Sequence, residues 1–128
     1  LSQGRASRSH ELTVHHLAID ASRLAHDRRG MGRYVRQLLR GMSARQPALQ
    51  VTLHAPAGTH DQLRDIVGAV APLWRDRATM APLDALANTT ADVAWYPWNF
   101  IEVPAARAPM VVTVHDIAPM LPLDGRWW

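Results

Sequence analysis

With 128 residues, 48% of them hydrophobic and 20% charged, the chain has the size and composition of one soluble globular domain, far from the disordered regime. The formal net charge is +3: 11 acidic side chains nearly balance 14 basic ones, all arginine, so the clustered excess of a bulk nucleic-acid binder is missing. The absence of cysteine excludes a disulfide scaffold, a thiolate nucleophile and a Cys-ligated metal, and fits the cytoplasm; no apolar run is long enough for a signal peptide or a membrane span.

Residues 1–11 are polar and rich in Ser and Arg, the pattern of a disordered leader, and the domain is expected over 12–128. Residues 12–20 (LTVHHLAID) read as a first strand ending in an acid, followed by an Arg-rich loop over 21–30 that closes on glycine. Over 31–42 the apolar residues Met31, Tyr34, Val35, Leu38, Leu39 and Met42 recur at helical spacing and form one face directed at a core. Arg29, Arg33, Arg36 and Arg40 fall on the opposite, solvated side. Residues 49–54 alternate as a second strand, and Thr59 is placed to cap a helix over 61–70.

Within 71–90 the pattern predicts a short strand near Trp74 or Thr79 and a helix over 82–87, with Pro82 near its first turn. A strand is expected over 92–96, then a loop with three prolines over 97–109. The continuous run MVVTVH over 110–115 predicts a strand buried on both faces, and 116–128 has no fixed pattern. Strands alternating with helices imply an α/β fold, a Rossmann-like parallel sheet with helices on both faces. In such sheets ligands sit beyond the carboxyl ends of the strands, where three informative clusters fall.

The first cluster is Arg29-Gly30-Met31-Gly32-Arg33-Tyr34, at the start of the helix. Glycines there let backbone N–H groups approach a phosphate on the helix's positive end; the alternative is a plain loop with a glycine cap. The nicotinamide fingerprint is incomplete, because position 35 is Val and the second strand ends in His54 where an acid would be needed. The second cluster is Thr113-Val114-His115-Asp116, whose histidine suits a sugar hydroxyl, a phosphate or a mobile proton, or is simply hydrogen-bonded at a strand end. The third is Trp95-Tyr96-Pro97-Trp98-Asn99-Phe100, where rings and an amide would form a sugar platform, with ordinary core and loop packing favoured for Trp95 and Phe100. The arginine stripe is either a solvated helix face or a contact for an anionic membrane. His10, His15 and His16 lack the partners and spacing of a metal site.

Taken in order, these segments resemble the retaining GT-B glycosyltransferases of family 4. The matching pieces are Ile19-Asp20, the run from Gly30 to Val35 with Leu38 and Leu39, Asp92-Val93 with Trp98-Asn99, and the run from Pro109 to Pro119. The resemblance implies two Rossmann-like domains facing across a cleft, the N-terminal one meeting mostly the acceptor and the C-terminal one holding a nucleotide-sugar donor. It implies that Gly30, Gly32 and Arg33 lie near the donor diphosphate, with Asn99 and Asp116 among the substrate-binding residues. His115 is then the catalytic residue beside the transferred sugar. It implies a saccharide or lipid-linked acceptor, no metal, no nucleic-acid partner, and a cytoplasmic location with docking on the inner face of a membrane. The family's donor-gripping glutamate motif would lie beyond Trp128 in a C-terminal domain, so activity is expected of the longer enzyme and not of these residues alone. Two other readings stand: a non-catalytic α/β module that binds a phosphate ligand, and a basic peripheral-membrane domain.

Overall fold

The computed structural model describes residues 13–115. The proposed leader, Asp116 and the pattern-free segment 116–128 lie outside them. Five strands, β1 (His16–Asp20), β2 (Gln50–His54), β3 (Ala78–Ala81), β4 (Val93–Tyr96) and β5 (Met110–Val112), form one sheet in the order β3-β2-β1-β4-β5. Every pairing is parallel. The chain starts in the middle of the sheet, builds outward through β2 and β3, then crosses over to β4 on the other side of β1. That reversal is a topological switch point, and it opens a crevice between the carboxyl ends of β1 and β4.

Side chains alternate across the sheet, so each strand feeds two layers. Leu17 and Ile19 of β1 and Val51 and Leu53 of β2 point to one side. There they are covered by α1 (Met31–Arg45) through Val35 and Leu39 and by α2 (His60–Val70) through Leu63 and Val67. Trp74 completes this core from a single 3₁₀ turn, Pro72–Trp74, with its indole N–H on the Gln46 carbonyl at 2.8 Å. The opposite layer is thinner: Ala18, Ala94 and Tyr96 meet Leu86 of a 3₁₀ helix, Leu83–Asn88, and Ala105 and Ala108 of the loop after β4.

Several local expectations are corrected. Thr59 does not cap α2 with its side chain; its hydroxyl donates to the Pro56 carbonyl at 2.7 Å, closing the 3₁₀ turn Ala57–Thr59 that leads into the helix. The helix expected over 82–87 is 3₁₀, and the strand expected near Trp74 or Thr79 takes Thr79. The run over 110–115 is not buried on both faces. β5 has three residues at the edge of the described sheet, and Met110, Val111 and Val114 are exposed. A β-branched apolar run is shared by buried central strands and by edge strands, and pattern alone does not separate them.

Candidate functional site

The loop 21–30, which forms the first wall of the switch-point crevice, is fastened at its start, middle and end. At its start the Asp20 carboxylate accepts the Ser22 N–H at 2.9 Å. In its middle the Arg36 guanidinium donates to the carbonyls of Asp27 and Leu24, and the Gln62 amide donates to Ala25 at 2.9 Å. Arg36 is therefore not part of a solvated stripe: the two arms of its guanidinium fork are spent on two loop carbonyls. At the loop's end Gly30 takes a positive φ of 51°, open to glycine without steric cost. Gly32 is buried, and a Cβ built there would lie 1.7 Å from the Asp27 carbonyl oxygen. Its glycine is required by the loop folding onto the first turn of α1, whatever a ligand asks of it.

That first turn contains no acidic side chain, so the positive end of the helix dipole is left uncompensated there. Arg29 and Arg33 stand exposed on it, as does Arg40 farther along. The one carboxylate in the second half of the loop, Asp27, accepts the Arg29 N–H at 3.1 Å. Tyr34 was expected to face the core but is exposed, and its ring meets that of His115 edge to face with centroids 4.8 Å apart. A tyrosine fits an apolar stripe by its spacing, yet its hydroxyl favours a place at the stripe's wet margin.

The second wall is the segment after β4. Trp98 is buried, and its indole N–H donates to the Asp20 carbonyl at 2.7 Å, tying the two walls together. Asn99 has a left-handed φ of 71°, a conformation asparagine adopts more readily than most residues. Its side-chain oxygen accepts the backbone N–H of His115, and the His115 Nε2 meets the Pro97 carbonyl at 2.7 Å. A carbonyl only accepts, so Nε2 carries the hydrogen, leaving Nδ1 as the acceptor of the neutral ring. Arg23 closes the rim from the opposite wall, its guanidinium 4.5 Å from the centre of the Phe100 ring. The aromatic segment is not a sugar platform: Trp95, Tyr96 and Trp98 are all buried, and half-exposed Phe100 is occupied by Arg23. Packing, favoured for Trp95 and Phe100, holds for both: Trp95 lies in the core, and Phe100 packs against Arg23 at the loop rim.

The structure thus brings Gly30, Gly32, Arg33, Asn99 and His115 to one edge of the sheet, with Tyr34 linking the two groups. Asp116 lies outside the described residues. Two shallow grooves adjoin the first wall: one of about 450 Å³ lined by Ser22, Arg23, His26 and Asp27, and one of about 470 Å³ between the loop and α2, lined by Arg28, Arg36, Gln62, Asp65, Ile66 and Ala69. The second is away from His115 and belongs to the packing of loop on helix. No group of three or more metal-ligating side chains occurs among the described residues, and none of their helices is long and apolar enough to cross a membrane.

Sequence reasoning used His54 only against a dinucleotide site, and read Asp20 as the acid closing the first strand and, with Ile19, as the first matching piece. They are register partners on neighbouring strands, almost wholly buried. Burial pushes the His54 imidazole below its ordinary 6.5, against the opposing pull of the Pro82 carbonyl and the Asp20 charge. Nearby, burial pushes the Tyr96 phenol up, so its hydroxyl stays protonated and donates to the Val103 carbonyl at 2.8 Å. The available signal was a polar residue closing each of two adjacent apolar strands. No known family model, curated protein or solved structure matches the chain.

Proposed function

We propose that this chain forms the acceptor-side part of a retaining glycosyltransferase that uses a nucleotide-sugar donor. The observation that carries the reading is the meeting of His115 with the start of α1 at the switch point, through the 4.8 Å ring contact with Tyr34. A leaving diphosphate needs fixed donors, which Arg33 and the first-turn N–H groups other than that of Gly32, held by the Arg29 carbonyl at 3.1 Å, would supply at a helix end whose first turn holds no acidic side chain. Near the anomeric carbon, where positive charge develops, a sugar hydroxyl would donate to His115 Nδ1. The Pro97 carbonyl already orients that ring and Asn99 holds the His115 backbone, so little is lost in ordering it. Asp116, adjacent in sequence, would belong to the same substrate contact. No metal is required, because backbone and guanidinium groups supply the positive charge.

The test is transfer from a panel of nucleotide sugars by the longer enzyme carrying this domain. His115→Ala should lower kcat by more than it raises KM, since the contact strengthens in the transition state. Unchanged kinetics would remove His115 from the mechanism, and the absence of transfer from any donor would remove the reading. A second reading, a peripheral-membrane surface, draws on the exposure of Arg33 and Arg40. It predicts salt-dependent binding to anionic vesicles that is lost when both become Gln. Arg36 drops out of that surface, because its guanidinium is spent on the loop.

A further inference from the structure

The loop 21–30 has two faces of different character. The N–H groups of Asp27 and His26 both donate to the Arg23 carbonyl, at 2.8 and 3.2 Å, and the Leu24 N–H donates to Ala21 at 3.1 Å, so the segment winds as a helical turn. On such a turn, positions three and four apart share a face. Leu24 and Ala25 enter the core, and the carbonyls of Leu24, Ala25 and Asp27 are held by Arg36 of α1 and Gln62 of α2. Ser22, Arg23, His26 and Asp27 are left on the outside, where they line the groove of about 450 Å³. The turn is locked from behind, so its polar side chains are presented in front on a fixed backbone.

Those side chains keep most of their hydrogen-bonding capacity. Asp27 Oδ1 accepts the Arg29 N–H, while Oδ2, the Ser22 hydroxyl and the His26 ring have no partner among the described residues. The Arg23 guanidinium lies over the Phe100 ring, 4.5 Å from its centre, and no carboxylate among the described residues pairs with it. The groove therefore offers one carboxylate acceptor, one guanidinium donor, and a hydroxyl and an imidazole able to do either. An anion placed there meets the Asp27 carboxylate, and a cation meets the Arg23 guanidinium. A hydroxyl group both donates and accepts, and so suits both. We propose that the outer face of the loop 21–30 binds a neutral polyhydroxyl ligand, a saccharide ring, with Asp27 accepting from its hydroxyls and Arg23 donating to another of its oxygens. Ser22 and His26 complete the lining. The ligand class stands on the lining alone; that the bound sugar is the acceptor of the transfer rests on the glycosyltransferase reading.

The test is nitrogen-15 NMR titration of the chain with the methyl α-glycosides of glucose, galactose and mannose, and separately with inorganic phosphate. At least one glycoside should move the backbone amides of Ser22, Arg23, His26 and Asp27, with a Kd of the order of millimolar, as suits a small ligand in an open groove. Phosphate should leave these four amides in place. Asp27→Asn keeps an oxygen for the Arg29 N–H and gives up the charge; Arg23→Gln removes the guanidinium. Each should weaken glycoside binding about tenfold, the usual loss when a hydrogen bond to a charged group goes. Arg23→Gln carries the test alone if Asp27→Asn folds poorly. The proposal is overturned if no glycoside moves these amides, if both variants bind as tightly as the native chain, or if phosphate binds there in place of the glycosides. Transfer by the longer enzyme separates the site from the reaction. Glycoside binding without transfer from any donor leaves the site standing and removes the glycosyltransferase reading. Transfer with the same acceptor KM in native enzyme and both variants keeps that reading and overturns the groove as the acceptor's place.

Discussion

The two ends of the sheet treat polar groups differently. At the amino end the exposed Asp92 carboxylate accepts the backbone N–H groups of His15 and His16 at 2.8 and 2.9 Å, fastening the start of β1 to that of β4. Nearby, the His16 Nε2 meets the Thr52 hydroxyl at 2.7 Å, and Thr52 meets Thr79 at 3.2 Å. These groups lie near solvent and have protein partners. At the carboxyl end, Asp20 and His54 are buried and each is short of one partner, while a loop, a helix start and His115 are held at fixed positions around a crevice. Partnered polar groups at a wet margin do no more than secure strands. Buried groups left short of protein partners cost stability, a cost the partnered groups of the amino end do not carry.

The largest effect that would sharpen this contrast is expected from Trp98→Ala. The substitution removes a buried indole and the bond to the Asp20 carbonyl that joins the crevice walls, and should cost about 3–5 kcal/mol by chemical denaturation. Trp98→Phe, which keeps a ring and loses the N–H, should cost about 1 kcal/mol more than its volume change alone, leaving a buried carbonyl unpaired. If Trp98→Ala costs no more than an exposed substitution, the walls are not tied as described.

Much of this was legible in the sequence, and the misses have physical causes. The sheet, α1 and the loop between β1 and α1 follow from hydrophobic periodicity and punctuating glycine, which report burial directly. The shared edge of Gly32 and His115 follows from parallel topology alone. What sequence could not show were contacts that depend on which loop folds where. Arg36 looks like its neighbours Arg33 and Arg40 in spacing, yet lies beside two loop carbonyls and is consumed by them. Trp98 and Phe100 look alike as aromatics, but one is under the crevice and the other on its rim. His54 appeared only as the residue that ruled out a dinucleotide acid, because its burial beside Asp20 depends on the pairing of two strands distant in sequence.

A middle-sized effect is expected from Gly32→Ala. A methyl group 1.7 Å from the Asp27 carbonyl oxygen cannot be accommodated without moving the loop or the helix start, so a loss of about 1–3 kcal/mol or more should follow. Gly30→Ala meets no atom within 4 Å and carries only the strain of its backbone, φ 51° and ψ −114°, about 1–3 kcal/mol with no clash added, so it should cost less than Gly32→Ala. Equal costs at the two glycines would show that backbone strain, not the packing of loop on helix, explains the motif.

The smallest effect belongs to the amino end, through Asp92→Asn. The amide keeps one oxygen for the two N–H groups of His15 and His16 but gives up the charge that strengthens both bonds, and it should lower Tm slightly at neutral pH. The two backbone N–H bonds, foremost that of His15, hold the Asp92 carboxyl below its ordinary 3.8. A carboxylate with a depressed pKa in the fold gives stability that is fully present above its unfolded value and disappears as pH falls through its folded one. The Tm difference between native chain and variant should therefore be constant from neutral pH down to about pH 5 and close at still lower pH. Because the group is exposed, added salt should also narrow the gap. The Ser22 amide exchange that reports on the crevice should be the same in both proteins at every pH. A change there would mean that the amino end is coupled to the crevice through β1 after all, and that the two ends of the sheet do not divide their work as their hydrogen bonding indicates.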